Sequence, residues 1–103
     1  MSNFLIFDID SLLLNFPEYR YFIDLLKTTN MEVGIINMKK NQKDIQQPHD
    51  VDEIYYIISG VGSLEINGNK NDISTGKIIY IPRKLPHSFN ALSDELIVLY
   101  ILA

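Results

Sequence analysis

The stretch His49-Asp50-Val51-Asp52-Glu53-Ile54-Tyr55-Tyr56-Ile57-Ile58-Ser59-Gly60 decides how this chain is read. From Asp52 to Ser59 it is rich in Ile and Tyr, the composition of a β-strand, and Gly60 closes the run. Alternate residues of a strand face the same side. If the pleat runs through the whole stretch, Gln47, His49, Glu53, Tyr55 and Ile57 point into one cavity. Asp50 and Asp52 then face solvent or a neighbouring edge, where charge discourages strand-to-strand aggregation.

The chain has one other histidine, His87, closing Gly76-Lys77-Ile78-Ile79-Tyr80-Ile81-Pro82-Arg83-Lys84-Leu85-Pro86-His87. His87 and Phe89 repeat the alternation on a second segment. Two imidazoles and the Glu53 carboxylate suit a divalent metal such as iron, manganese, nickel or zinc, with coordination positions left open. Gln47 is a neutral oxygen donor in the same set. Tyr55 is the candidate proton donor beside it, and Ile57 and Phe89 are expected to line the pocket. The bland readings are that the histidines are ordinary core or surface residues, and that Glu53 pairs with Lys40 or Arg83. Both histidines falling in such motifs favours the ligand reading.

Outward from these motifs the residues suggest strands almost throughout. Tyr21–Leu26 leads through Thr28-Thr29-Asn30 into Met31–Met38, a hairpin pattern. Phe16, Tyr19, Phe22, Ile23 and Leu26 also fit a helical stripe, so residues 16–27 are open to both readings, with the strand preferred. A short helical turn is expected within residues 9–18, ending before Pro17. Lys39–Asp44 reads as a polar loop. Gly60-Val61-Gly62 turns into Ser63–Ile66, and Asn67-Gly68 favours a type I′ hairpin returning through Asn69–Ser74. Lys77–Pro82, His87–Asn90 and Leu96–Leu102 complete about eight to ten strands, an antiparallel sandwich or small barrel.

Length and composition bound the rest. The 103 residues suffice for one domain with one core. The net charge is −4, without a basic cluster beyond Lys39-Lys40 and Arg83-Lys84, so neither nucleic acid nor an anionic membrane is an expected partner. The absence of cysteine excludes disulfides, thiolate metal sites and cysteine nucleophiles. Met1–Asp10 lacks a basic n-region and does not read as a signal peptide, and no apolar run reaches the roughly 18 residues of a membrane span. A cytoplasmic protein is the expectation. The last strand is apolar on both faces, Leu96, Val98 and Tyr100 on one and Ile97, Leu99 and Ile101 on the other. The second face needs cover from the N-terminal arm or from another subunit.

The two motifs resemble those of the cupin superfamily, in particular its small single-domain members. The family patterns are Gly-x5-His-x-His-x3,4-Glu-x6-Gly and Gly-x5-Pro-x-Gly-x2-His-x3-Asn. This chain reads Gln47-x-His49-x3-Glu53-x6-Gly60 and Gly76-x5-Pro82-x-Lys84-x2-His87, separated by the short spacer Val61–Thr75. The resemblance covers about residues 31–102. It implies an all-β, antiparallel double-stranded jelly-roll barrel with a short N-terminal arm, residues 1–103 as a single domain, and motifs at about 47–60 and 76–90. It also implies metal ligands at Gln47, His49, Glu53 and His87, and a homodimer. Four positions depart from the pattern: Gln47 replaces the first His, Lys84 the second-motif Gly, Lys77 the Asp common after Gly76, and Ala91 the Asn, with Asn90 adjacent.

Three functions fit these residues. The first is a metal-dependent enzyme, dioxygenase-, isomerase- or lyase-like, acting on a small polar molecule. The second is a barrel that binds or senses a small molecule without turnover. The third is a metal-free barrel whose histidines are relics. The ligand set favours the first two, with a slight lean to the enzyme.

Overall fold

The computed structural model describes residues 3–103. Met1 and Ser2, which open the stretch read against a signal peptide, lie outside the described residues. The helix α1(Ile9–Leu14) is one and a half turns long, with the Asp8 side chain accepting from the Asp10 amide at its N-cap, and it ends before Pro17. Eight strands follow: β1(Phe22–Lys27), β2(Glu32–Lys39), β3(Glu53–Ser59), β4(Val61–Ile66), β5(Asn69–Ser74), β6(Ile78–Ile81), β7(His87–Ala91) and β8(Glu95–Leu102). Residues 22–27 therefore take the strand alternative, because the β1–β2 hairpin gives their backbone groups ladder partners. Among the described residues no helix is long and apolar enough to cross a membrane.

Every strand pairing is antiparallel, and the strands form two sheets, ordered β1-β2-β8-β3-β6 and β5-β4-β7. This is the all-β, double-sheet jelly-roll architecture expected from the sequence. The chain leaves the larger sheet for the smaller at Gly60, whose φ is 109° and whose missing side chain leaves room for the Glu95 carbonyl. Asn67 and Gly68 have φ of 50° and 86°, as a type I′ turn requires, and join β4 to β5. Between the sheets lies the core, centred on Met38, Tyr55, Ile57, Leu64, Val98 and Leu96.

Register fixes which side chains meet on the inner face of the large sheet. One row of opposed residues runs Lys27, Glu32, Leu102, Glu53 and Ile81; the next runs Asp24, Gly34, Tyr100 and Tyr55. In the second row Tyr100 lies across Gly34, so that its hydroxyl donates to Asp24 and also to the Ile23 carbonyl at 3.2 Å. A Cβ on Gly34 would collide with the Tyr100 ring. The glycine is the gap that lets a central-strand phenol reach the edge strand β1.

The outer face of that sheet is divided. At the β1–β2 side, Leu13, Phe16 and Pro17 of the arm share a groove with Asn37 and Glu95, and Ile35 is fully buried. At the β3–β6 side, Ile54, Tyr56, Ile78 and Tyr80 remain exposed, Ile78 to 71%. The arm covers only one end of the apolar face.

Gly34→Ala is expected to lower stability by about 1–3 kcal/mol, the usual scale of overpacking. That is a drop of several degrees or more in the thermal midpoint for a domain of this size. Unchanged melting by circular dichroism would show that Tyr100 does not need the gap.

Candidate functional site

The site begins where the two sheets face each other. Glu53 opens β3 on the large sheet and His87 opens β7 on the small one. Both side chains are sealed from solvent, with 2% and 1% exposure respectively, and Glu53 Oε1 stands 3.1 Å from His87 Nε2. His87 Nδ1 is 2.8 Å from the Leu85 carbonyl, which fixes Nδ1 as a donor. Its Nε2 is 2.9 Å from the Tyr55 hydroxyl. That hydroxyl is 3.4 Å from Gln46 Oε1, and Gln46 Nε2 donates to Asp44 Oδ2 at 3.0 Å.

Donor directions agree along this chain when His87 is an imidazolium. Nε2–H then donates to Tyr55, Tyr55 to Gln46, and Gln46 to Asp44. Burial of the ring opposes the charge. The contact with Glu53, the Leu85 carbonyl and the field of Glu53 and Asp44 outweigh burial and hold His87 above the ordinary imidazole range. Tyr55 is shifted the same way and also keeps its proton. Burial first, then the Glu53 charge, raise its hydroxyl far above the ordinary phenol range, so it stays protonated. Glu53 Oε1 is within ion-pair distance of Nε2 yet has no aligned hydrogen-bond donor among the described residues, an orphaned acceptor in a sealed position.

Asp44 organises the loop before β3, and nothing in the sequence reading singled it out. Its carboxylate accepts from the Tyr21 hydroxyl at 2.8 Å, the Phe89 amide at 2.8 Å, and both the amide and side chain of Gln46. Tyr21 is pushed up to about 12 by burial and by this hydrogen bond to Asp44. One acid thus ties the loop to β7 and to the segment before β1.

The expected site residues separate. Residues 42–52 form no strand, so the pleat does not extend from β3 back through Gln47. The shared parity holds only for Glu53, Tyr55 and Ile57, all buried, with Ile54 and Tyr56 exposed between them. Gln47 is exposed, and its neighbour Gln46 takes the inward place. His49 is half-buried on the cavity wall, its carbonyl accepting from the Lys84 amide at 2.7 Å. Ile57 and Phe89 sit in the core, and Tyr55 keeps its hydroxyl inside the hydrogen-bond chain; none of the three lines the cavity. Glu53 meets His87, not Lys40 or Arg83. Asp52 accepts from the Arg83 amide, and Asp50 lies 3.6 Å from Lys84.

A cavity of about 190 Å³ opens over the inner face of β1, β2, β8 and β3. Glu53, Ile36, Tyr100 and Leu102 form its interior, Phe22, Asp24 and Glu32 stand towards solvent, and Tyr21, Gln46 and His49 close it from the loops. Most of these residues went unnoticed in sequence. The usable signal was Gly34, an isolated glycine inside a β-prone run, which marks a close approach.

In metal-free protein kept so by a chelator, the raised His87 pKa contributes stability that is complete below about pH 6.5, where unfolded imidazole is also protonated. That contribution is lost as pH rises through the folded value. Thermal midpoints are therefore expected to fall from pH 6 towards pH 9, with a flatter profile in His87→Gln. Parallel profiles would refute the buried imidazolium. Lys84 has φ of 66°, left-handed backbone at the position where the motif carries Gly. Lys84→Gly is expected to stabilise by about 1 kcal/mol, read as a higher midpoint.

Residues 34–102 match the cupin-domain family Cupin_2. An uncharacterized protein of Streptomyces coelicolor is 29% identical over 80 residues, spanning 78% of this chain and 76% of its own. An HTH_3-family transcriptional regulator from Vibrio cholerae is similar with a TM-score of 0.70 at 18% identity, over 80% of this chain and 49% of that one. Salicylate 1,2-dioxygenase from Pseudoaminobacter salicylatoxidans gives 0.72 at 11% identity, over 79% of this chain and 25% of that one. This chain therefore spans about half of the regulator and a quarter of the dioxygenase, and at such identities the likeness is one of fold. With the match running from β2 to the last residue of β8, the chain belongs to the cupin family.

Proposed function

We propose that this barrel takes a small polar molecule into the cavity above Glu53 and a divalent cation between Glu53 and His87, and that it acts as an enzyme on that molecule. One observation carries the reading: Glu53 Oε1, sealed and without a donor, faces His87 Nε2 at 3.1 Å. Pinning Nδ1 on a backbone carbonyl leaves Nε2 as the ligating nitrogen, the usual outer-shell support of a metal-bound histidine. The donor pair fits a cation of the iron, manganese, nickel or zinc type. Among the described residues no three His, Cys, Asp or Glu side chains are gathered as a metal-holding group. His49, with Gln46 in place of the expected Gln47, is the loop side chain that would complete the shell.

Such an ion supplies Lewis-acid polarisation of a substrate oxygen, suited to dioxygenase-, isomerase- or lyase-like reactions. The protein's own groups do the rest. A divalent ion held there would compete with the proton for His87 Nε2. The Leu85 carbonyl holds the imidazole through Nδ1, and Ile36, Tyr100 and Leu102 exclude water from the floor. Half-buried on the cavity wall, His49 would stand between the ion and bound substrate. The second reading is a barrel that binds without turnover. It draws on the Tyr55 hydroxyl, which is taken up between His87 and Gln46 and not offered to the cavity.

The exposed Ile54, Tyr56, Ile78 and Tyr80 strip supports the homodimer, with the same strip of a second copy as its cover.

Near-stoichiometric metal is expected in protein reloaded with iron, manganese, nickel or zinc, measured by elemental analysis. His87→Ala and Glu53→Gln should each lose it while keeping the β-sheet circular dichroism spectrum. Metal-dependent turnover across small diols, keto acids and sugars separates enzyme from binder. Equal metal in parent and variants would sink the assigned pair. Light scattering should give a dimer at micromolar concentration, and a Tyr80→Glu monomer.

A further inference from the structure

We infer that Phe4-Leu5-Ile6-Phe7 of one copy pairs with the free edge of β6 in a second copy, as a further strand of its large sheet, and that the exchange is reciprocal. The inference rests on the homodimer proposed above and names the segment that each copy lends the other.

Within its sheet β6 has β3 on one side and no strand on the other. The Ile57 amide donates to the Lys77 carbonyl at 2.9 Å, and hydrogen-bonded pairs recur at every second residue of an antiparallel ladder. Ile79 and Ile81 therefore turn their backbone groups towards β3, whereas Ile78 and Tyr80 turn theirs away from it. The side chains of Ile78 and Tyr80 are exposed as well. An apolar edge with unused amides and carbonyls is a template for another strand.

The chain carries a segment that fits. Phe4 and Ile6 are 81% and 86% exposed, within an apolar run that belongs to no strand. The helix α1 that follows buries none of its residues, so the run is lightly attached to its own barrel.

Charge sets the register. With the segment antiparallel to β6 and Phe7 opposite Ile78, Leu5 faces Tyr80 and exposed Asp8 faces exposed Lys77. Pro82, without an N–H, ends the ladder beyond Ile81. Leu5 and Phe7 then extend the outer strip, while Phe4 and Ile6 continue the inner row of Ile81 and Ile79.

The position of the arm calls for a second copy. Ile6 and Phe7 share a hollow with Ile23 of β1, and β6 of the same sheet is four strand spacings away, about 19 Å. The arm lies on the outer face, since it shares a groove with Asn37 and Glu95, whose neighbours Met38 and Leu96 enter the core. The exposed strip is on that face too, at the opposite end of the sheet. Stacking two such sheets in full overlap drives arm against arm. A two-fold axis along the strands, through the strip, offsets them instead, so that β2 and the arm of each copy lie beyond the other's β6. Stacked sheets stand about 10 Å apart, which sets an arm beneath one sheet level with the edge of the other.

The chain has no cysteine, so introduced thiols report single contacts. Full-length Phe7→Cys and a full-length Ile78→Cys of different tag size are mixed at micromolar concentration and oxidised. Hydrogen-bonded antiparallel pairs hold their Cα atoms about 5.5 Å apart, within disulfide reach. A mixed disulfide is expected on a non-reducing gel, and about tenfold less from Phe4→Cys with Ile78→Cys, which the register separates. Leu5→Pro keeps an apolar side chain, removes the amide that donates to Tyr80, and lies outside the barrel. It should weaken the dimer about tenfold in sedimentation.

A dimer that forms no mixed disulfide, or that Leu5→Pro leaves unchanged, would overturn the exchange and leave the homodimer standing. Cross-linking confined to single chains carrying both cysteines would put the arm on its own β6 and overturn it too. Preferred coupling of Phe4→Cys would overturn the antiparallel register. A monomer throughout would overturn both the inference and the homodimer beneath it.

Discussion

The contact between Glu53 and His87 joins the two sheets through charge in an otherwise apolar interior. Carboxylate and imidazole come from opposite walls, so their 3.1 Å approach depends on both sheets being in register and on their spacing. Two polar groups drawn from water into such a place lose several kcal/mol of hydration each unless they find partners. The partners are there: the Leu85 carbonyl, the Tyr55 hydroxyl, and behind it Gln46 and Asp44. Within loop 42–52, Gln46 and Asp44 extend the hydrogen-bond chain that begins at His87. Asp44 is the far end of the chain that begins at its ring.

A second constraint works from the opposite side of the cavity. Tyr100 sits in the central strand β8, and its hydroxyl reaches Asp24 on the edge strand only because Gly34 intervenes without a side chain. This anchors the irregular part of β1, where the pairing shifts between Asp24 and Leu26. The bulge and the phenol together set the rim of the cavity. The His87 chain sets its loop wall, and Glu53 is the floor common to both.

Strand positions were readable in sequence because their signals are local. β-Branched and aromatic runs, Gly60, Asn67-Gly68 and Thr75-Gly76 placed each strand to within a residue or two. The N-terminal hairpin was ambiguous, since its apolar spacing fits two periods and only pairing with β2 decides between them. The approach of Glu53 to His87 was legible because both lie on strands. A period of two carried into a stretch with no ladder set Gln47 inward, where the structure has Gln46. Asp24, Glu32, Asp44 and Tyr100 could not be found that way, because what unites them is cross-strand register and a long-range hydrogen bond. Lys84 shows the reverse case: the left-handed backbone that the motif glycine would serve is retained at φ of 66° although a lysine occupies it.

The buried pair is hard to justify by stability alone. An apolar pair of similar volume, continuous with Ile81 and Leu102 beside it, would fill the same space without desolvating a charge, and such replacements are often neutral or stabilising. The pair is also only partly satisfied, since Glu53 Oε1 lacks a donor. A structural ion pair would be expected to close that deficit with another side chain. Glu53 is also among the residues that line the cavity, with Asp24 and Glu32. An incomplete network in that position is best understood as half of an interaction, with the remaining half brought by what binds.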